Sequence, residues 1–418
     1  MLACMRTAGA KGLRALRNAN CDRLLELLRL HGALHRAELA RRSGLSRTTV
    51  STIVAALIDA GVVSEVDGAN GVAGDAGLRR PRGLLTLNPE GRAVVGVDFS
   101  FQQVRVVVAD LAHQIRGEGF APLEPDQSWS ESIELGLATI DKALAVAGVG
   151  RAQVIGVGLG LPGPIDRTSG ALGRSSNSVA WAGIHAGQEL SSLLGVPVYQ
   201  ENTSRLAALA EATWGAGRGC DDLIFVKLAA GVGSGLVFGG HIFRGSVGAA
   251  GELGHITVDE NGPACRCGNR GCLETYARVP AVLAALRPAF GDDVALPQVL
   301  AASAAGDRAA RRVISDVGRV VGTALAGVCN LLNPSRIIIG GDLAPAGDEL
   351  LVPLRSSLRR HALPMTFEAV TVVVAELGDR AGALGGVALV LHEGEPVAML
   401  EESMPVDTTL VLTGGSGR

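Results

Sequence analysis

Apolar positions in the first sixty residues recur at helical spacing. Leu24, Leu25, Leu27, Leu28 and Leu30 give Cys21–Leu30 one broad apolar side, ending near His31-Gly32. Arg36–Ser43 reads as a second short helix closed by Gly44. Ser46 is placed to cap a third helix running to about Ala60, with Gly61 as its stop. Within it Val50, Ile53, Val54, Leu57 and Ile58 fall at i, i+3, i+4, i+7 and i+8, a single core-facing stripe. The period then shortens: Val62–Val66 and Leu84–Leu87 read as strands joined by a Gly-rich loop.

From Ala93 the pattern is strand-turn-strand. Ala93–Val97 and Val104–Val108 are apolar runs around a polar turn, and Leu223–Phe238 repeats the unit. Two such hairpins, each opening a mixed βα segment, predict two lobes of related fold with a cleft between them. Val154–Asp166 predicts a buried strand and a Gly-Pro turn facing that cleft, and Asn330–Leu343 a helix end, a strand and a Gly-Gly turn. The Ala-rich stretch 291–310 reads as helical and carries no evident chemistry.

Two helices around a Gly-containing turn, the second polar at its leading end, make a helix-turn-helix, and the following strands make a wing. Ser46, Arg47, Thr48, Thr49, Ser51 and Thr52 supply short donors and acceptors and one arginine, suited to base edges and phosphates in a major groove. The wing returns through Arg79, Arg80, Pro81 and Arg82, an extended basic stretch of the kind that lies in a narrow minor groove. Charge agrees: residues 1–88 hold 13 Lys and Arg against 7 Asp and Glu, whereas the rest holds 25 against 34. A basic front on an acidic body favours double-stranded DNA as partner over a helical module that merely faces solvent.

The chain has 418 residues, 47% hydrophobic and 19% charged, enough for two or three folding units and too apolar for wholesale disorder. It has 3 lysines against 35 arginines, a bias that with the abundant alanine and glycine reads as genome composition. No apolar run reaches the ~18–20 residues that span a bilayer, and the N-terminus lacks a signal peptide's apolar core. Cys4, Cys21, Cys220 and Cys329 are scattered, as ordinary thiols of a reducing cytoplasm would be.

The remaining three cysteines are not scattered. In Gly251–Tyr276, His255 precedes Cys265, Cys267 and Cys272. Three thiolates and one imidazole make a closed tetrahedral shell for a structural Zn²⁺, with no open position for catalysis. Glu252 and Glu274 lie beside the cluster and are not needed by a metal; they either face a ligand or pair with Arg266 or Arg270.

The body resembles the ROK family, bacterial sugar kinases and sugar-responsive repressors that share one ATPase-type fold. The matching runs are IGVGLGLPGPID, the Asn177–Trp181 stretch, ENTSRLAALAE, LAAGVGSG, AGELGH, CRCGNRGCLE and NPSRIIIGG, spread over residues 91–392. AGELGH followed by CRCGNRGCLE is the most specific. The winged helix-turn-helix is similar to that of the repressor branch, whose wing carries Gly-Arg-Pro where this chain has Arg79-Arg80-Pro81. The resemblance implies an α/β chain: a winged helix-turn-helix at 18–90, then a two-lobed ribonuclease-H-like or actin-like body at 91–392. It implies a hinge near 200–221 and a last helix near 380–392 returning to the first lobe, with flexible ends at 1–17 and 393–418. It further implies a sugar or sugar-phosphate effector held by Asn177, Asn202, Thr203, Glu252, His255 and Glu274, and a dimer or tetramer.

The chain departs from the kinases where phosphate is handled. The family's E-N-D run, whose aspartate takes the proton from the attacking hydroxyl, reads Glu201-Asn202-Thr203. A threonine hydroxyl stays protonated near neutral pH and cannot be that base. The loop D-x-G-G-T-K reads Asp98-Phe99-Ser100-Phe101-Gln102-Gln103, and G-T-G-I-G reads Ala229-Ala230-Gly231-Val232-Gly233. Only the Gly340-Gly341 turn survives. These losses predict a regulator that binds its sugar without phosphorylating it. The rivals are an active kinase carrying a DNA-binding module and a regulator that answers to a protein.

Overall fold

A computed structural model of the chain describes residues 20–66, 83–173 and 181–393, apart from positions 22, 29, 30, 60, 89, 90, 101, 125 and 126. The flexible-end expectations for 1–17 and 394–418 fall outside the described residues. At the front, α1 (helical at 20–21, 23–28 and 31) is followed by β1 (Leu34–His35), α2 (Arg36–Ser43) and α3 (Arg47–Asp59). Leu24, Leu39, Val50, Val54 and Leu57 are essentially inaccessible to solvent; each such side chain contributes about 1.5–3 kcal/mol by leaving water. Gly44 closes α2 at φ 71°, its amide on the Ala40 carbonyl, in the left-handed conformation that lacks a penalty only without a Cβ. The wing strands β2 (Val63–Val66) and β3 (Leu84–Leu87) pair antiparallel, and β1 joins them in the order β1-β3-β2. An Arg36–Glu65 ion pair ties the start of α2 to the wing.

The first lobe is a five-stranded sheet of β4 (Ala93–Phe99), β5 (Gln103–Asp110), β6 (Ile115–Pro122), β7 (Val154–Leu161) and β8 (Val198–Asn202), with α4 (Trp129–Ala147) and α5 (Ala186–Leu194). Its order is β6-β5-β4-β7-β8: a three-stranded antiparallel meander, then two parallel strands beside the first. Every residue of β4 is buried because both faces are covered. Val95, Val97 and Phe99 pack toward Ile133, Ile140 and Leu144 of α4.

After α6 (Thr203–Trp214), the second lobe repeats the design with β9 (Leu223–Leu228), β10 (Val232–Phe238), β11 (His241–Ile242), α7 (Glu274–Ala277), α8 (Val279–Phe290), α9 (Leu296–Ala304), α10 (Arg308–Leu332), β12 (Arg336–Gly340), α11 (Asp348–His361), α12 (Pro364–Ala369) and β13 (Thr371–Val374). Its sheet order, β11-β10-β9-β12-β13, matches the first lobe strand for strand and direction for direction. That repeated order is the ribonuclease-H-like, actin-like arrangement.

The final helix, α13 (Ala381–Glu393), returns to the first sheet, and α6 lies between it and the second. Glycines set the spacing. A Cβ on Gly96 of β4 would sit 1.8 Å from the Ala383 carbonyl oxygen, one on Gly385 2.0 Å from that of Leu206, and one on Gly235 of β10 2.6 Å from the Ala208 Cβ. The layers between the lobes are therefore sheet, α13, α6, sheet, packed backbone to backbone. One apolar cluster runs from Leu39, Leu57 and Leu85 of the winged domain through Val107 and Leu111 to Ala207, Ala210 and Val387. Among the described residues no helix is long and apolar enough to cross a membrane.

Candidate functional site

The leading end of α3 is arranged as a contact surface. The Ser46 hydroxyl accepts the Thr49 amide at 3.1 Å and shares a 2.8 Å hydrogen bond with the Thr49 hydroxyl, so both residues serve the helix start. Arg47, Thr48, Ser51 and Thr52 are exposed on the side opposite Val50 and Val54. The Thr52 hydroxyl donates to the Thr48 carbonyl at 3.0 Å and keeps only its lone pairs for a partner. On α2, Arg41 grips Glu38 with two nitrogens and Arg42 reaches the same carboxylate at 2.5 Å. Those guanidiniums hold the Glu38 carboxyl down at about 2. Arg79, Arg80 and Arg82 lie outside the described residues.

His255, Cys265, Cys267 and Cys272 converge, each offering one donor atom within 4.8 Å of all the others. The His255 Nδ1 is 3.7 Å from the Cys265 sulfur, and the Cys267 and Cys272 sulfurs are 3.6 Å apart. A tetrahedron with Zn–S near ~2.3 Å has edges of ~3.8 Å, so the donor set fits a zinc-sized ion. The loop closes by Gly271, at φ 59°, where a Cβ would lie 1.6 Å from the Asp259 carbonyl oxygen. Burial pushes the Cys272 thiol up to about 12, whereas the Asn269 backbone amide lowers that of Cys267. A bound cation would make both thiolates, because its own charge dominates so small a space.

The expected effector residues come from both lobes. Asn202 caps α6, its Oδ1 accepting the Ser204 amide at 2.8 Å, and its Nδ2 donates to the Gly163 carbonyl at 3.0 Å. Thr203 is buried and its hydroxyl donates to Asp98 Oδ1 at 2.9 Å. A Cβ on Gly233 would meet the Ser204 hydroxyl at 2.3 Å, which brings the α6 start against the second lobe. There the neighbouring Val232 amide donates to Glu274 Oε2 at 3.3 Å, and Arg266 pairs with the same oxygen at 2.7 Å. The arginine pairing of Glu274 is thus present, and its carboxylate joins the metal-type loop to β10. Glu252 is exposed, His255 half-buried, and the turn carrying them packs on Val232 through Gly254. Asn177 lies outside the described residues. A hollow of about 500 Å³ is an open groove between α10 and α11 that none of these residues lines.

The first phosphate-loop position is filled by the protein itself. The Ser100 amide bonds the Gln103 carbonyl at 2.9 Å and the Ser100 hydroxyl accepts the Gln102 and Gln103 amides, so these three donors are spent internally. Phe99 packs at a tilt against Trp129 and edge-on against Trp181, with ring centroids 5.4 and 5.9 Å apart. Burial raises the Asp98 carboxyl from its ordinary value, with Lys227 and the Thr203 hydroxyl pulling it down. Asp342, after the Gly340-Gly341 turn, is raised by burial too and likewise faces Lys227.

Three residues stand out that the sequence reading passed over. Glu201 is 3% exposed and pairs with Arg205 at 3.0 Å and Arg244 at 2.5 Å. Glu211, fully buried near the end of α6, accepts the Ala216, Glu376 and Leu377 amides and ties the end of α6 to the segment after β13. The third, Arg205, is 2% exposed. For Arg205 and Glu211 the signal was a charge inside the otherwise apolar run of α6; Glu201 lies just before it, at the end of β8.

The "ROK family" profile matches residues 94–393 and the "winged helix-turn-helix DNA-binding" profile residues 23–64. Over 383 residues the chain is 28% identical to the putative xylose repressor of Caldicellulosiruptor sp., covering 88% of this chain and 94% of that one. It is 32% identical to the glucokinase of Halalkalibacterium halodurans over 318 residues, 72% of this chain and 96% of the glucokinase. A solved ROK-family transcriptional regulator, a homolog of the E. coli MLC protein, superposes with a TM-score of 0.80 at 26% identity, over 93% of this chain and 99% of that one. With a family match over most of its length and a winged helix-turn-helix before it, the chain belongs to the ROK family in its DNA-binding form.

Proposed function

We propose that the chain is a DNA-binding transcriptional regulator of the repressor type, whose ROK body binds a sugar or sugar derivative as effector without phosphorylating it. The observation that carries this reading is Thr203, buried and hydrogen-bonded to Asp98 where a kinase needs a free carboxylate base. The internally bonded Ser100, Gln102 and Gln103 amides support it, because they are withheld from a phosphate. So do the regulator relatives, which match the chain through its N-terminal domain as well as its body.

In this reading α3 enters a major groove of operator DNA, with Arg47, Thr48, Ser51 and Thr52 toward the bases and Arg79, Arg80 and Arg82 of the wing toward the minor groove. Asn177, Asn202, Thr203, Glu252, His255 and Glu274 hold the hydroxyls of the effector. A structural Zn²⁺ on His255, Cys265, Cys267 and Cys272 fixes the imidazole, with Nδ1 toward the ion and Nε2 left for the sugar. Two chains read two half-sites, in the cytoplasm, and closure of the lobes on the sugar changes their spacing.

The test is a gel-shift on DNA upstream of the gene, titrated with D-xylose, D-glucose, N-acetylglucosamine and their phosphates. A sugar-dependent change in the operator midpoint is expected. Absence of DNA binding at modest salt sinks the proposal. The likeness to a glucokinase favours the rival of an active kinase, which predicts ATP consumption with a hexose in a coupled assay, abolished by Glu252→Ala.

A further inference from the structure

The segment ahead of Glu252 is fastened to α6 by one side chain. Arg205 donates from Nη2 to the Gly248 carbonyl at 2.5 Å and the Ala250 carbonyl at 2.9 Å, and from Nε to Ala250 again at 3.3 Å. Its Nη1 bonds Glu201 Oε1 at 3.0 Å. The other Glu201 oxygen takes Arg244, at the base of the same segment, and the Ala250 amide returns to the Arg244 carbonyl at 3.2 Å. One buried carboxylate at the end of β8 thus holds two guanidiniums, one on α6 and one on the loop. The segment also meets the first lobe, where Arg167 donates to the Gly245 carbonyl at 3.2 Å. Ser234 holds its far end through the Gly251 carbonyl at 2.5 Å.

Two consequences follow from burial. The carbonyls of Gly248 and Ala250 cannot turn away without stripping a buried cation of its acceptors, so the loop and α6 move together. Immediately after Arg205, Ala207, Ala208 and Ala210 lie in the apolar cluster that reaches the winged-domain core. We infer that Arg205 is the positioning residue that couples the effector loop to α6, and through α6 to the DNA-binding domain. The inference rests on the sugar-responsive reading above for its last step, but not for the first. It assigns Arg205 no contact with the sugar.

Arg205→Met in the full-length chain tests it, because Glu201 keeps Arg244 and no buried carboxylate is orphaned. Hydrogen exchange of the unliganded protein reads the first step. Amides of residues 244–252 should exchange about tenfold faster or more, while those of α3 and β9 keep the parent's rates. The operator titration with the three sugars and their phosphates named above reads the second. A sugar that shifts the parent's midpoint should still bind R205M in calorimetry, within about tenfold of the parent's affinity, yet shift its operator midpoint far less. Arg205→Lys, which keeps the charge and loses the fork, should fall between the two. Should R205M exchange faster everywhere, R205K decides by the same comparison of 244–252 with α3. Unchanged exchange in 244–252, or a full operator response in R205M, overturns the inference. A parent that binds no DNA or answers no sugar overturns the functional reading instead, and the exchange comparison still judges whether Arg205 holds the loop.

Discussion

At Asp98 burial and hydrogen bonding oppose one another. Burial raises its carboxyl, and the Thr203 hydroxyl and the Lys227 charge offset only part of that. The folded chain therefore holds the Asp98 proton to a higher pH than the unfolded chain does. Its contribution to stability is whole below the unfolded value of 3.8 and is lost as pH rises through the folded value. D98N keeps an acceptor for Thr203 and removes the buried charge. Its melting temperature relative to the parent should rise between pH 4 and pH 8 by a few degrees, roughly what about 1 kcal/mol gives a large domain. A difference that is flat or falls across that range in calorimetry counts against the assignment. The metal-type cluster makes a second prediction at this scale. Bound zinc, measured by atomic absorption, should be near one per chain and lost in Cys272→Ser or after chelation, with sugar affinity falling about tenfold or more as His255 loses its fixed orientation. Of these residues, the cysteine spacing and Thr203 were legible from their order alone. The Asp98–Thr203 bond was not, because it joins positions 105 apart.

Among elements, α3 follows its sequence closely, since its cap and its apolar stripe are both local signals. Its outward face carries the DNA prediction. Arg47→Ala should weaken operator binding by about 1–3 kcal/mol if the guanidinium reads a base, or reduce the salt slope by about 1 if it meets a phosphate. Gel-shifts at several salt concentrations separate the two, and no change in either places Arg47 outside the interface. The short β1 was invisible in the sequence. Leu34–His35 has no strand pattern of its own, and only pairing with Leu84 and Leu85 makes it one. The resemblance implied the last helix, but α6 was not read as a helix, and their contact was invisible because it joins Gly385 to Leu206, nearly 180 residues away in sequence.

For the whole molecule, the two hairpin units at Ala93 and Leu223 announced two related lobes by their repeated pattern, and the sheets carry the same strand order. What stands between them is a pair of helices rather than an open hinge. On the proposed reading, effector closure acts through α6 and α13, and the R205M comparison probes the α6 step. The sequence by itself determined the helices of the basic front, the two hairpin units that open the lobes, the metal-type ligand set and the missing base, since each is written in local spacing or residue chemistry. Only the tertiary structure decided the partners of the buried charges. Glu201 with Arg205 and Arg244, Glu274 with Arg266 and Val232, and Asp98 with Thr203 are choices made by long-range packing, where the penalty for an unpaired buried group selects the neighbour.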